Sequence, residues 1–228
     1  MAVDMKEFLK GVILFKDLPA KELEKVAKLF SEREFPKYQV IFEEGSAGDL
    51  LFIIAQGVVK ISKEAADGRV KTLALLNVGE IFGEMSILGD EARSANAETL
   101  TEVRCAVIKR EDFQALVEKN PSISLHIIRT LIDRLIQADR QIKNLALGNS
   151  RAKIADILIQ LSQEFSGEAE EGTRVGVRLT HQELADLAGL ARETTTKLLN
   201  EFVKDDSIIL KDREIEILDK KKLQQWVM

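Results

Sequence analysis

The chain has 228 residues, of which 45% are hydrophobic and 31% charged, and its formal net charge at pH 7 is −5. This is the composition of an ordinary soluble protein with one large domain or two modest ones. The longest apolar run, Leu50 to Ala55, is far too short to cross a bilayer. Charged residues near the N-terminus do not fit a signal peptide, so we expect a cytoplasmic protein without a membrane segment. The single cysteine, Cys105, excludes an internal disulfide and a four-cysteine iron–sulfur cluster within one chain.

Residues 1–30 are predicted to be helical. The segment that follows Pro19 has apolar residues at helical spacing, and proline is common at the start of a helix. These residues are Leu23, Val26, Ala27 and Phe30.

The pattern changes between residues 34 and 109, where short apolar runs alternate with glycines. Short strands separated by frequent turn signals indicate an antiparallel sandwich or barrel. Asp67-Gly68 is a dipeptide typical of a hairpin turn. Cys105 lies in one of the alternating segments, which favours a place in the core over a ligand role.

The stretch Phe82–Ala95, called the cassette below, combines residue types that suit a compact anion carrying a hydroxyl. Arg93 can meet a phosphate with a planar, two-pronged donor, and small residues beside it leave backbone N–H groups free to approach the same oxygens. Glu84 can only accept, so it suits a sugar hydroxyl. The simpler alternative is a surface turn followed by an exposed arginine. The candidate effector-binding residues of the cassette are Gly83, Glu84, Met85, Arg93, Ser94 and Ala95.

A short helix is predicted from Glu111 to Asn120, closed by Pro121, and a long helix from Ser122 to Leu147. Apolar residues on the long helix alternate at spacings of three and four, which is a heptad seam. Such a seam can pack on the chain's own sandwich or on a second copy, and its length and regularity favour a homodimer. The seam residues are Ile128, Leu131, Leu135, Ala138, Ile142 and Leu145.

Gly148 to Ser150 breaks the long helix, and a domain boundary is predicted there. A helix over 150–165 and a short strand over 175–179 follow. Thr180 and Glu183 form a capping box at the start of a helix, and Gly189 suits a tight turn before a second helix. Two runs rich in isoleucine, 208–210 and 215–218, then predict a two-stranded wing.

This arrangement is the pattern of a winged helix-turn-helix, whose second helix enters the major groove of DNA. An ordinary helical hairpin with solvated, charged faces is the alternative. The candidate DNA-binding residues are Thr180, His181, Gln182, Arg192, Glu193, Thr195, Thr196 and Lys197.

Taken together, the chain resembles the cyclic AMP receptor/FNR (CRP/FNR) family of bacterial transcription regulators over nearly its whole length. The motifs that carry the resemblance are F-G-E…R-S-A in the cassette, Gly45, Gly48-Asp49 and Gly57 before it, Asn144-Leu145-Ala146, T-x-Q-E-L-A at Thr180–Ala185, and R-E-T at Arg192–Thr194. The resemblance implies an α+β fold. Its expected parts are a cyclic-nucleotide-binding β-roll or jelly roll over 1–120, a dimerisation helix over 121–148, and a winged helix-turn-helix over 149–228.

The resemblance also implies roles and partners. Members that bind a cyclic nucleotide use the cassette glycine and glutamate for ribose and phosphate, and the arginine and the Ser-Ala pair for the cyclic phosphate. An arginine and a glutamate of the recognition helix read a TGTGA-like half-site, with a basic residue further on, which Arg192, Glu193 and Lys197 match. The expected partners are a second copy of the chain, palindromic double-stranded DNA and RNA polymerase, with cyclic AMP or another cyclic nucleotide as effector, no covalent cofactor, no metal and no enzymatic activity.

The sequence departs from the cyclic AMP receptor where that protein's dimer helix meets the adenine. A Thr-Ser pair stands there in the receptor, and the matching residues here are Ala138 and Asp139. Ala138 cannot hydrogen-bond a base, whereas Asp139 can accept from an amino group. A regulator that answers to a non-nucleotide signal or is constitutively active remains an alternative, as does a nucleotide-binding module that does not bind DNA.

The charge of the C-terminal part is unusual for a DNA-binding domain. Residues 150–228 contain twelve Lys and Arg against fifteen Asp and Glu, whereas such domains are usually basic. We therefore expect modest non-specific affinity for DNA and a salt-sensitive specific affinity.

Overall fold

The computed structural model describes residues 4–89, 91–165 and 174–227 of the chain. The chain divides into two compact units, the first comprising Met1–Lys63 and Leu73–Leu135, the second Glu64–Thr72 and Ile136–Met228. The division therefore falls inside the long helix, earlier in the chain than the boundary that the glycine at 148 suggests. Among the described residues, no helix combines the length and apolarity that crossing a bilayer requires.

The N-terminal helical region is confirmed, in a broken form. The helices up to the long one are α1 (Met5–Gly11), a 3-10 turn (Ile13–Phe15), α2 (Ala20–Ala27), α3 (Glu84–Leu88), α4 (Arg110–Lys119) and α5 (Pro121–Leu147). The strands among them are β1 (Ser31–Phe35), β2 (Val40–Phe42), β3 (Leu50–Gln56), β4 (Val59–Glu64), β5 (Val70–Leu76), β6 (Ile81–Phe82), β7 (Asn96–Thr99) and β8 (Val103–Lys109).

These strands form two sheets, and the predicted antiparallel β-structure is confirmed. One sheet has the strand order β1-β8-β3-β6 and the other β2-β7-β4-β5. At the centre of the first sheet β3 pairs with β8, with Ile53 opposite Ala106 and Ile54 opposite Cys105.

The continuous apolar run of β3 is explained by burial on both faces of its sheet. Leu51 and Ile53 point to a core shared with the N-terminal helices, α4 and the start of α5. Phe52 and Ile54 point the other way, into a core between the two sheets. The Phe52 ring stacks on that of Phe82 at 4.9 Å between centroids, which fixes β6 and the turn that follows it.

In the second unit, the helices are α6 (Ser150–Glu164), α7 (His181–Ala188), α8 (Arg192–Lys204) and α9 (Lys220–Val227). A small antiparallel sheet has the order β10-β11-β9, formed by Ile208–Lys211, Glu214–Ile217 and Arg174–Val175. The wing is thus confirmed, but the strand predicted over 175–179 is wrong beyond Val175. The chain leaves the sheet at Gly176, where a Cβ would lie 1.7 Å from the Phe165 carbonyl oxygen.

Cys105 is fully buried between the two sheets, and burial raises the pKa of its thiol to about 12. Since the thiolate is the reactive form, we predict that the native protein reacts with a disulfide reagent at about pH 8 at least ~100-fold more slowly than the unfolded chain. Absorbance of the released thiol, followed with and without guanidinium chloride, measures both rates. Rapid reaction of the native protein would contradict this packing.

Candidate functional site

The cassette begins with a turn that buries a carboxylate. Gly83 follows β6 with φ of +82°, a left-handed conformation that glycine adopts without strain, and it caps the short helix α3. The turn directs the side chain of Glu84 inward, where only 2% of it is exposed. Burying a carboxylate costs free energy unless it is paired, so the groups around Glu84 indicate its role.

Arg93 is also buried, at 5% exposure. Its Nη1 donates to the Gly83 carbonyl and to Ser86 Oγ, both at 2.8 Å, and its Nη2 donates to the Leu50 carbonyl at 2.7 Å. Its Nε lies buried without a hydrogen-bond partner among the described residues. The guanidinium therefore sits among neutral acceptors, and its Nε is an unused donor.

The protein is built closely around this guanidinium. A Cβ added at Gly48 would lie 2.6 Å from Arg93 Nε, and one added at Gly83 would lie 2.4 Å from Nη1. The Phe42 ring covers one face, with its centroid 4.2 Å from Cζ. Glycine is therefore needed at both positions for the same physical reason: the backbone approaches the fixed guanidinium too closely for a side chain.

Burial lowers the pKa of Arg93, while the nearby charges of Asp49 and Glu84 act in the opposite direction. Within the described part of the chain, no carboxylate forms an ion pair with this guanidinium. A buried positive charge held by neutral carbonyls attracts an anion that reaches it.

Glu84 has one oxygen engaged and one unused. Its Oε1 accepts from Nη1 of Arg134, which lies on α5 and also donates to the Ile81 carbonyl. Its Oε2 is buried without a partner among the described residues. An unused acceptor and the unused donor of Arg93 border the same turn, and together they fit a ligand that carries an anionic group and a hydroxyl.

Two residues that support the cassette were missed in the sequence. Arg134 directly precedes the seam residue Leu135, and no local pattern points to its partner Glu84, which lies 50 residues earlier in the chain. Arg110 donates to the carbonyls of Gly48 at 2.6 Å and Ser86 at 2.7 Å, and it joins two segments that surround Arg93. No spacing rule points to it, because its partners are backbone atoms far away in sequence.

The remaining effector candidates differ from one another in exposure. Met85 is 54% exposed, and Ser94, also exposed, approaches its sulfur at 3.5 Å. Ala95 is buried. Ala138 and Asp139 are exposed on α5 and fall in the second unit, so their part in an effector site stays a prediction.

The helix-turn-helix is formed as its capping pattern predicts. Thr180 Oγ1 accepts from the Glu183 N–H at 3.1 Å, and Glu183 Oε2 accepts from the Thr180 N–H at 2.6 Å. Gly189, with φ of +63°, ends α7 and starts the turn into α8. This fixes the second helix against the first.

The exposed face of α8 forms an open groove with a volume of about 590 Å³. Four of the predicted DNA contacts line this groove. Three further lining residues come from the next turns of α8. They were not predicted from the sequence, although they continue the helical spacing of three and four. The lining residues are Arg192, Glu193, Thr196, Lys197, Asn200, Glu201 and Lys204.

The prediction that Thr195 faces DNA is wrong. Its side chain is fully buried, and its hydroxyl donates to the Ala191 carbonyl at 3.2 Å. The helical period places it on the same side as Leu199, in the core. His181 bonds Thr196 Oγ1 through Nδ1 at 2.8 Å, and Gln182 donates to Asp186 at 2.7 Å, so these two side chains are held by neighbours within the motif.

Helix α5 carries a broad band of exposed, large apolar side chains. It includes the predicted seam and residues beside it. Their exposed fractions lie between 39% and 63% for Leu125, Ile128, Leu131, Ile132, Leu135, Ile136, Ile142 and Leu145. A band of this size on one helix marks an interaction surface.

Comparison with known proteins agrees with this architecture. The cyclic nucleotide-binding domain family matches residues 32–120, and the Crp-like helix-turn-helix domain family matches residues 152–226. A CRP-like cAMP-activated global transcriptional regulator of Mycobacterium tuberculosis is 32% identical over 219 residues, covering 96% of this chain and 98% of that one. A cyclic AMP receptor protein of Thermus thermophilus is 30% identical, covering 95% and 97%.

Among solved structures, the c-di-GMP responsive global regulator CLP of Xanthomonas campestris superposes with a TM-score of 0.76. It is 26% identical, and the match covers 88% of this chain and all of that one. The fold and the matched domains define a DNA-binding transcription regulator with a cyclic nucleotide-binding domain. The chain belongs to the CRP/FNR family.

The packing around Arg93 predicts that Gly48→Ala destabilises the protein. The new methyl group would overlap Ser86 Oγ and the guanidinium, which cannot move without losing its hydrogen bonds. We expect a loss of about 1–3 kcal/mol, measured as a lower midpoint of thermal unfolding. Gly11→Ala is the matched control, because a Cβ at Gly11 meets nothing within 4 Å. Equal midpoints for both variants would contradict the close approach.

Proposed function

We propose that this chain is a homodimeric regulator whose DNA affinity is set by a small phosphate-bearing ligand, a cyclic nucleotide, bound in the cassette. The observation that supports it most directly is the pair of buried, unused polar atoms, Arg93 Nε and Glu84 Oε2. An unused buried donor or acceptor is destabilising, so a ligand that satisfies both gains affinity from relieving that cost.

The roles follow from the chemistry of the two side chains. Arg93 provides the charge and a donor for the phosphate, and the backbone at Gly83 can approach closely because it lacks a side chain. Glu84 accepts from a ribose hydroxyl through Oε2 while Oε1 remains with Arg134. Such a ligand therefore binds to a carboxylate that is already tied to α5.

This connection supplies a route for the signal. If ligand binding moves Glu84 or weakens its ion pair with Arg134, the change acts on Arg134 and hence on the helix that carries the apolar band. A shift of α5 would pass through Gly148–Ser150 and set the spacing of two recognition helices about one DNA turn apart. The two recognition helices would then fit the two halves of a palindromic, TGTGA-like site, read by Arg192, Glu193 and Lys197, and engage RNA polymerase from there.

Arg93 and Glu84 would bind the phosphate and the sugar, so the preference for one base must come from other residues. The Mycobacterium tuberculosis relative is named as cAMP-activated and the Xanthomonas structure as c-di-GMP responsive, so the family does not fix one effector. Ala138 and Asp139 differ from the pair that meets adenine in the cyclic AMP receptor. Cyclic AMP is the first ligand to test, and a non-nucleotide signal or constitutive activity is the alternative.

The effector hypothesis predicts that Arg93→Gln loses cyclic nucleotide binding. Charge-assisted hydrogen bonds contribute strongly, so we expect affinity to fall about 10- to 100-fold. Calorimetric titration with cyclic AMP, cyclic GMP and c-di-GMP measures it, and the same substitution at Arg33, exposed on β1, is the control. If the unchanged protein binds none of the three, these three nucleotides are ruled out as effectors. If Arg93→Gln binds as tightly as the unchanged protein, the cassette is not the site.

The dimer hypothesis predicts that Leu135→Glu yields a monomer. Leu135 is 62% exposed at the middle of the band, and a charge buried there in a dimer would be unpaired. Light scattering coupled to size exclusion measures the mass. Ile13→Glu changes an apolar side chain of similar exposure, 53%, on the 3-10 turn and should leave the dimer intact. A dimeric Leu135→Glu protein would contradict the proposed interface.

A further inference from the structure

We propose that Arg151 and Trp226 form a second contact with DNA, a site for one phosphate and its neighbouring deoxyribose beside the bases that α8 reads. The cleft between them is called the flank cleft below. The inference rests on DNA binding by the helix-turn-helix and adds a surface to it that includes the C-terminal helix.

The flank cleft is built from three helices of the second unit. Helix α9 packs against α6. This packing places Trp226 over the start of α6, where the Arg151 guanidinium carbon lies 4.4 Å from the Trp226 ring centroid. Nη2 of the same guanidinium forms an ion pair with Glu201 of α8. One arginine thus connects all three helices.

The flank cleft is continuous with the groove along α8. It has a volume of about 380 Å³ and is bordered by the first turn of α6, by Trp226 and by one edge of α8. Lys197 and Glu201 line both the cleft and the groove. A duplex seated on the exposed face of α8 therefore brings its backbone to the opening of the cleft.

The chemistry of the cleft suits a sugar phosphate. Arg151 and Lys197 bring two positive charges to a single carboxylate, so the cleft keeps an excess of positive charge. The Glu201 contact uses Nη2, and the other N–H groups of the guanidinium retain donor capacity for a phosphate. The start of α6 adds the positive end of a helix dipole. The indole of Trp226, 38% exposed, offers an apolar surface for deoxyribose.

A purely structural role is the competing explanation, in which Arg151 and Glu201 only hold α9 in place. Continuity with the α8 groove and the excess of positive charge favour DNA over this explanation and over a protein partner. The two explanations differ in what happens to Trp226 when DNA binds and in the dependence of affinity on salt.

The first test uses fluorescence, because Trp226 is the only tryptophan in the sequence. The full-length protein is titrated, with and without cyclic AMP, with a duplex of about 40 base pairs carrying a TGTGA palindrome. We expect the emission of Trp226 to change with saturation, and acrylamide to quench it at most about half as efficiently in the complex. Unchanged quenching at saturating DNA would overturn the flank cleft.

The second test measures how affinity depends on salt. The plot of log K against log salt has a negative slope, and each lost phosphate contact reduces its magnitude by about 0.9. Arg151→Gln should therefore reduce the magnitude by roughly 2 per dimer. The loss should be equal on the palindrome and on a scrambled duplex, because phosphate contacts carry no sequence information. Lys221→Gln removes one charge at the other end of α9 and should leave the slope unchanged.

A double variant separates the contact from the charge that Arg151→Gln leaves behind. Arg151→Gln also frees the Glu201 carboxylate, which repels DNA. If Arg151→Gln/Glu201→Gln keeps the reduced slope, the phosphate contact stands. If it restores the slope, the effect came from Glu201 and the flank cleft is overturned. Trp226→Phe should bind nearly as the unchanged protein does, and Trp226→Ala about 3- to 10-fold more weakly.

Failure of the inference and failure of DNA binding give different results. If the unchanged protein binds neither duplex, DNA binding itself fails. If it binds and Arg151→Gln keeps the full slope, the flank cleft alone is overturned. Variants that keep the slope but no longer bind RNA polymerase would also overturn it, and would assign the surface to a protein partner.

Discussion

The cation of Arg93, buried among neutral acceptors, is the constraint on which the first unit depends. Three carbonyl or hydroxyl oxygens hold it, two glycines approach it without side chains, and the Phe42 ring covers it. A charge in such a place lowers stability unless something compensates it. The surrounding fold supplies hydrogen bonds, and the unused Nε is where further compensation can come from outside. The same interaction thus organises the core and leaves the buried donor on which the proposed anion site rests.

Two buried carboxylates are held in a different way. Glu84 with Arg134 and Asp156 with Arg140 are pairs of opposite charge, each linking α5 to a neighbouring element within its own unit. Pairs of this kind fix the position of a helix because breaking them leaves a buried carboxylate unpaired. Helix α5 is therefore held by polar contacts at defined points, while its apolar band stays exposed.

Most of the fold could be predicted from local patterns. The glycine-separated strands, the heptad seam, the capping box at Thr180 and the turn at Gly189 each depend on neighbouring residues, so the sequence records them directly. The cassette motif also located Gly83, Glu84 and Arg93. What could not be predicted depends on contacts distant in sequence, such as Arg110 to the Gly48 carbonyl or Arg134 to Glu84. Thr195 was misplaced because a threonine beside two others suits either face of a helix until its packing is known.

The acidic balance of the C-terminal residues is less of an obstacle to DNA binding than the sequence suggests. Glu214 is held between Arg174 and Arg178, which lower its pKa, and Asp156 is paired with Arg140. Glu201, on the recognition helix itself, is paired with Arg151. On the groove itself the cations Arg192, Lys197 and Lys204 are exposed, and they face two carboxylates, of which Glu193 is exposed and Glu201 is paired. Because a phosphate responds mainly to the charges nearest to it, the excess of cations on the groove matters more for DNA binding than the negative total over residues 150–228.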